Sequence, residues 1–294
     1  MKMNVTQFWQ WGSQQQYEET VIEITTTQPN QTFEWERVYG DVRYYDWDNG
    51  VRTNNKSHTF PKAGTYTIKI VGNIDSFKIN KKHQQNPLIT KIIQVANTIN
   101  SFSDCFAGCT NLTSIPAGLF DKNISVVSFW SCFADCTNLT SIPAGLFDKN
   151  ISAISFISCF AGCSNLTAIP AGLFDKNTNV TNFDSCFYSC SKLTTIPTGL
   201  FDKNINAVSL SNCFNYCFNL TTVPEVLFDK SIKVHDFSAC FFGCYNLINR
   251  PKPYGLEMWE ISGKNGRPLN IQTHRMFRYC KAMPDYNSLP YSVK

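Results

Sequence analysis

Histidine and charge are both scarce in this chain, which has only four histidines among 294 residues and 16% charged residues. No apolar run approaches the ~18 residues of a membrane-spanning helix, so no membrane insertion is expected. The net charge of +4 is too small to predict a nucleic-acid partner. A phosphate-binding G-x-x-x-x-G-K motif is also missing. These absences exclude several common enzyme and transport classes before any motif is considered.

The first residues, MKMNVTQFWQWGSQQQYEE, contain no apolar core and no small-residue cleavage site typical of a signal peptide. We therefore expect a protein made in the cytoplasm without a signal peptide. Residues 1–16 are rich in Gln, Trp and Phe and show no period, which predicts an N-terminal extension. Such an extension either is disordered or docks into a larger assembly.

What the chain does contain is a repeat. The stretch CFAGCTNLTSIPAGLFDKNISVVSFWS begins at Cys105 and recurs every 27 residues without insertion. Further copies begin at Cys132, Cys159, Cys186 and Cys213, and a sixth begins at Cys240 and loses the pattern after Pro251. A period of this length predicts a solenoid, because each unit buries its apolar face only by stacking on its neighbours.

Each unit has apolar residues at fixed positions that we predict to point into the core. These columns begin with Phe106, Leu112, Leu119, Phe120 and Phe129 in the first unit. The β-prone segment LTSIP predicts one parallel strand per unit, ended by proline. The spacing of the two cysteines in SDCFAGC predicts a single helical turn, and LFDKN predicts a turn.

These repeats resemble the BspA-like leucine-rich repeats, whose units carry MF.GC.NLT.IP followed by a turn. The resemblance covers roughly residues 88–251, and Met276-Phe277-Arg278-Tyr279-Cys280 is a weaker echo of the same pattern. Such repeats occur in surface proteins of gut bacteria, in some parasites and in phages. The resemblance implies a binding scaffold and no chemistry.

The segment before the repeats predicts an all-β domain. Residues 32–36 and 65–70 alternate between apolar and polar, and Asp48-Asn49-Gly50 and Pro61-Lys62-Ala63-Gly64 are turn signals. YYDWDNG followed by SHTFPKAGTYTIKIVGN resembles the PKD-type immunoglobulin-like domain. That resemblance implies a β-sandwich. Asp48 and Asn49 replace the usual Gly and Asp, so no calcium preference is carried over, and His58 is predicted to lie in a hairpin.

The predicted fold class is therefore mainly β with short helical turns. An N-terminal immunoglobulin-like β-sandwich precedes a capped leucine-rich-repeat (α/β) solenoid of 27-residue repeats. The predicted boundaries are 1–16 for the N-terminal extension, 17–78 for the sandwich, 79–104 for a linker and N-terminal cap, 105–251 for the repeats and 252–294 for a C-terminal cap. The last segment is locally basic, which predicts a solvated end-face or a docking patch for an acidic partner.

The thirteen cysteines have three interpretations. A disulfide framework suits small secreted proteins, but cysteines one helical turn apart rarely have bridging geometry. A metal site would need converging histidines, and the four present are scattered. We predict free thiols that fill equivalent buried places in every unit. No metal and no cofactor is expected.

An enzyme is not expected. The nearest nucleophilic set is Cys240 with His235 and Asp236, and Cys240 occupies a core position of the repeat. The aspartates that recur from Asp121 onward suggest turns beside surface lysines rather than calcium ligands. A column of threonines that begins at Thr113 is a weak indication of glycan or ice binding, because threonine is also a good strand residue.

The last three units differ from the first three by gaining aromatic residues in or just after the CF..C segment. Stacking would gather these residues on one edge as a predicted binding site: Tyr188, Tyr216, Phe218, Phe242 and Tyr245. The alternative is that some of them fill wider packing near the C-terminal cap.

The sequence thus predicts a non-catalytic binding or adhesion protein. The first hypothesis is a phage virion protein, a tail or head appendage that contacts a protein or glycan of the bacterial host surface. Its N-terminal extension would bind other virion proteins. The alternatives are a bacterial cell-surface adhesin and a purely structural virion decoration protein.

Overall fold

The computed structural model describes residues 17–48, 50–81 and 84–294. The predicted N-terminal extension, 1–16, lies outside the described residues. The described chain is mainly β, and its only helices are three single 3₁₀ turns at Pro253–Gly255, Tyr286–Ser288 and Tyr291–Val293. Seven strands precede the repeats: β1 (Glu19–Thr26), β2 (Gln31–Glu34), β3 (Arg37–Asp46), β4 (Arg52–Thr53), β5 (Ser57–Phe60), β6 (Gly64–Lys78) and β7 (Ile89–Gln94).

These strands form two antiparallel sheets. One has five strands in the order β4-β3-β6-β1-β7, and the other pairs β2 with β5. The long strand β6 pairs with β1 through its first half and with β3 through its second half. The predicted alternation is confirmed, because Ile68 and Ile70 of β6 are fully buried. His58 lies in β5 opposite Phe33 of β2. Because β3 and β4 lie between these two strands in the chain, the hairpin predicted at His58 does not form.

The segment 79–104, predicted as linker and cap, contributes to both parts of the structure. Its strand β7 pairs with β1 in the five-stranded sheet. Further on, the carbonyls of Ala96 and Ile99 accept hydrogen bonds from the Asn123 side chain of the first repeat, at 2.9 and 3.1 Å. The ring of Phe77 packs edge-on against Phe106 at 5.4 Å, so one continuous apolar core runs from the sheet into the repeats.

The repeats stack one on another in register. The predicted Phe106 column is fully buried, and its successive rings lie nearly parallel with centroids 5.5–5.9 Å apart through to Phe277. The predicted Leu112, Phe120 and Phe129 columns are buried as well. A fully buried side chain of this size contributes roughly 1.5–3 kcal/mol. Burial of these columns therefore holds each unit on the next.

The strand pairing between units does not lie where the sequence predicted it. Parallel bridges join equivalent residues of successive units at Ser101, Ser128, Ser155, Asn182, Ser209, Asp236 and Gln272, whereas the LTSIP segments supply one bridge, Thr195 to Thr222. The bridge column therefore lies just before the cysteines rather than at LTSIP.

The predicted helical turn between the paired cysteines does not form. The residue before each cysteine of the pair adopts a left-handed backbone angle, as at Asp104 (φ 59°) before Cys105 and Gly108 (φ 75°) before Cys109. Left-handed residues cannot continue a right-handed helix. The N–H groups of these left-handed residues instead bond to the next unit, as from Asp104 to Trp130 O at 2.8 Å and from Gly108 to Ala134 O at 2.7 Å.

A column of buried asparagines and one arginine hydrogen-bond to backbone carbonyls of preceding units. The buried Asn150 donates to Phe120 O and Asn123 O of the preceding unit, and Asn177 and Asn204 repeat this arrangement. Where the fifth unit has Ser231 instead, the guanidinium of Arg267 donates to Ser231 O at 2.9 Å and to Phe228 O. Arg267 is buried, so the basic C-terminal segment is only partly the solvated end-face that its composition suggests.

Candidate functional site

The thirteen cysteines are all free and buried. The second cysteine of a unit donates its thiol to the phenylalanine carbonyl of the preceding unit, as from Cys136 Sγ to Phe106 O at 3.2 Å. Burial raises the pKa of Cys105 to about 12 and that of Cys163 well above its usual value. These thiols are structural, because a nucleophilic cysteine needs an accessible thiolate.

The cysteine of the nearest nucleophilic set is structural as well. Cys240 is fully buried, and that burial raises the pKa of its thiol well above its usual value. His235 is exposed, and the Asp236 carboxylate accepts a hydrogen bond from the backbone N–H of Ser238 at 2.8 Å. In the described part of the chain, no group of three or more His, Cys, Asp or Glu side chains is placed to hold a metal ion.

The recurring aspartates and threonines take structural positions. The backbone N–H of Asp121 donates to Gly118 O at 3.1 Å, which closes the predicted turn. The threonines are exposed and join successive units through their backbones, as from Thr140 N to Thr113 O at 3.3 Å. Within the described residues, no helix is long and apolar enough to cross a membrane.

The five predicted aromatic residues lie in one continuous cluster. Tyr216 is at its centre, with ring centroids 5.9 Å from Tyr188, 5.6 Å from Phe218 and 5.3 Å from Phe242. Phe218 stacks on Tyr245 at 5.5 Å. Edge-on and offset contacts at these distances are favourable for aromatic pairs.

Sequence reasoning missed a sixth member, Tyr279. Its ring lies 5.2 Å from Phe242 and 6.4 Å from Tyr245, and the Arg278 guanidinium lies 5.0 Å from the Tyr279 centroid. The available signal was the weak echo around Cys280, which aligns Tyr279 with Tyr216. The six residues are called the aromatic strip below.

The aromatic strip is only partly covered by the protein. Phe218 and Tyr245 are 39% and 46% exposed, and Tyr188, Tyr216, Phe242 and Tyr279 are half-buried. The strip follows the edge formed by the segments between the paired cysteines, which is called the cysteine edge below. A row of partly exposed rings offers apolar area at a low cost in side-chain entropy, as interaction surfaces do.

Two tyrosines of the strip hold left-handed backbone angles. Tyr216 and Tyr279 have φ values of 60° and 69° at a position that is Gly108, Gly162 or Gly243 in some units and Asp135 (φ 57°) or Ser189 (φ 56°) in others. A left-handed conformation costs a side-chain-bearing residue about 1–2 kcal/mol. The Tyr216 ring in turn covers Gly243, where an added Cβ would lie 2.6 Å from Tyr216 Cδ1. Backbone stability alone does not explain tyrosine at this position.

Comparison with known proteins adds little to this geometry. No family model matches the chain, and neither does any curated protein. Among the solved structures that match, a TLR13–ssRNA13 complex has 14% sequence identity and a TM-score of 0.13. The match covers 60% of this chain and 34% of that one, so this chain spans about a third of its length. Such a low TM-score does not show a shared fold. What the chain itself shows is a mainly β protein of stacked, cysteine-bearing repeats.

Proposed function

We propose that this chain is a non-catalytic binding protein that contacts the surface of a bacterial host from a phage virion, as a tail or head appendage. In this proposal the stacked units are a BspA-like leucine-rich-repeat solenoid. The two antiparallel sheets are a PKD-type immunoglobulin-like module, and residues 1–16 attach the protein to other virion proteins.

The aromatic strip is the observation that carries this proposal. It joins four units of the stack into one apolar surface, and two of its tyrosines are held at a backbone cost. The units that precede it have the same fold and lack these rings. The strip is therefore an addition to a scaffold that stacks without it, as expected for a recognition surface.

The first experiment measures binding of the labelled chain to intact gut-bacterial cells. The test variant changes Tyr188, Tyr216, Phe218 and Tyr245 to serine. The matched control changes three isoleucines exposed elsewhere on the stack, Ile124, Ile151 and Ile205, to serine. We expect the test variant to lose binding and the control to keep it, with far-ultraviolet circular dichroism unchanged in both.

Other outcomes separate the alternatives. If the unmodified chain binds no cell and antibodies detect it on purified particles, it is a virion decoration protein. If it binds cells and is found on the bacterial surface rather than on particles, it is a bacterial adhesin. If both variants lose binding equally, the aromatic strip is not the recognition surface.

A further inference from the structure

The same cysteine edge carries a groove along the earlier units. Its volume is about 450 Å³, within the range of ligand-binding clefts. Lys78 at the end of β6, and Asn80, Lys81 and Gln84 between β6 and β7, lie at one end. At the other end lie Tyr188 and Ser189 of the fourth unit. The groove therefore begins at the sheet and ends where the aromatic strip begins.

The groove exists because the first three units have alanine where the fourth and sixth units have rings. Its floor includes Ala107, Ala134 and Ala161, which are equivalent to Tyr188 and Phe242. The groove and the strip thus follow one line along the stack, and Tyr188 belongs to both. A ligand in the groove would lie parallel to the stack axis and cross successive units.

The rim of the groove combines aromatic, hydroxyl and charged groups. Trp130 is 45% exposed and Tyr188 is half-buried, so each presents part of a ring. Between them are the serines Ser131 and Ser158. The charged side chains are Lys78, Lys81, Asp104 and Asp135, and Lys78 pairs with Asp104 at 2.6 Å. Positive and negative groups are equal in number, so the groove has no net preference for an ion.

The backbone of this edge is already paired, which weighs against an extended peptide as the occupant. Asp135 N donates to Ala161 O at 2.6 Å, and Gly162 N donates to Tyr188 O at 2.7 Å. A peptide added as a strand needs free backbone groups at its docking edge. Recognition here must instead use ring faces and polar side chains.

We propose that the groove binds a neutral, linear oligosaccharide lying along the stack axis. The C–H faces of sugar rings stack on aromatic side chains, and Trp130 and Tyr188 supply such faces. Sugar hydroxyls both donate and accept hydrogen bonds, so they match serine, amide and carboxylate groups. A ligand of repeating sugars also suits a groove built of repeating units. This inference deepens the proposed function by naming a glycan as its partner class.

The test is isothermal titration calorimetry of the full chain with cello-, malto-, xylo- and mannohexaose, and with oligogalacturonate as an acidic comparison. Ala161→Tyr should fill the groove without disturbing the fold, because the equivalent residue of the next unit is Tyr188. Trp130→Ala removes a ring from the rim. The matched control is Ala168→Tyr, at an exposed position of the same unit outside the groove.

We expect at least one neutral hexaose to bind, with at least tenfold weaker affinity for Ala161→Tyr and Trp130→Ala and no change for Ala168→Tyr. The proposal is overturned if no neutral sugar binds, if only oligogalacturonate binds, or if Ala161→Tyr keeps full affinity. The cell-binding assay separates this inference from the proposed function. Cells that still bind both groove variants but not the strip variant would reject the glycan groove and leave the strip in place.

Discussion

At the fourth residue of the CF..C segments, the backbone is left-handed whichever residue occupies the position, as at Gly108, Asp135 and Tyr216. Glycine at this position accepts the left-handed angle at no steric cost, as Gly108 and Gly162 do. Tyr216 adopts the same angle and gains contacts with three other rings. The same angle occurs at Asp135 and Ser189, so it belongs to the repeat, and what Tyr216 adds is its ring contacts.

Tyr216→Gly should separate binding from folding. Relief of the left-handed strain returns about 1–2 kcal/mol. Against it, the variant loses three ring contacts of about 0.5–1.5 kcal/mol each and gains a glycine entropy cost of about 0.5–1 kcal/mol. We therefore expect the free energy of unfolding in urea to fall by about 2 kcal/mol, while cell binding is lost. Tyr216→Phe is the control and should keep both properties. Unchanged cell binding by folded Tyr216→Gly would mean that the ring serves packing near the C-terminal cap.

At the scale of the element, the stacking register was readable from the sequence. A strict period places equivalent residues above one another, so the buried phenylalanine columns and the contiguity of the five predicted aromatics followed from spacing. The backbone between the paired cysteines could not be predicted in this way, because a spacing of four residues fits one helical turn as well as a segment with two left-handed residues. Tyr279 and Arg267 were missed because the insertion after Pro251 breaks the period on which the alignment depends.

Deletion of one complete unit should leave the stack intact. Removing 132–158 joins Ser131 to Cys159 and recreates the Ser158–Cys159 junction. Each unit contacts only its neighbours, so we expect a soluble protein with the same near-ultraviolet spectrum and a free energy of unfolding lower by a few kcal/mol. The control removes 132–157, which shifts every later core residue by one position and should not fold. Equal behaviour of the two deletions would contradict register-dependent stacking.

At the scale of the whole molecule, the buried thiols couple stability to pH. Burial raises the pKa of Cys105 and Cys280 to about 12, and it raises that of Cys132, Cys159 and the equivalent thiols well above the usual value. In the unfolded chain a cysteine titrates near pKa ~8.5. Because the folded pKa values are the higher ones, the stabilisation is complete below pH ~8.5 and is lost as the pH rises above it.

We expect the protein to unfold in alkali within about one to two pH units above 8.5. Each thiol contributes a slope of about 1.4 kcal/mol per pH unit, and together the thirteen exceed a typical stability of about 5–15 kcal/mol. The measurement is circular dichroism and tryptophan fluorescence against pH in the presence of a reductant. A variant with Cys159→Ala and Cys186→Ala removes two of these groups, so its stability should fall less steeply with pH. An unfolding midpoint above pH 11, or a slope independent of the number of thiols, would show that thiol burial does not set the alkaline limit.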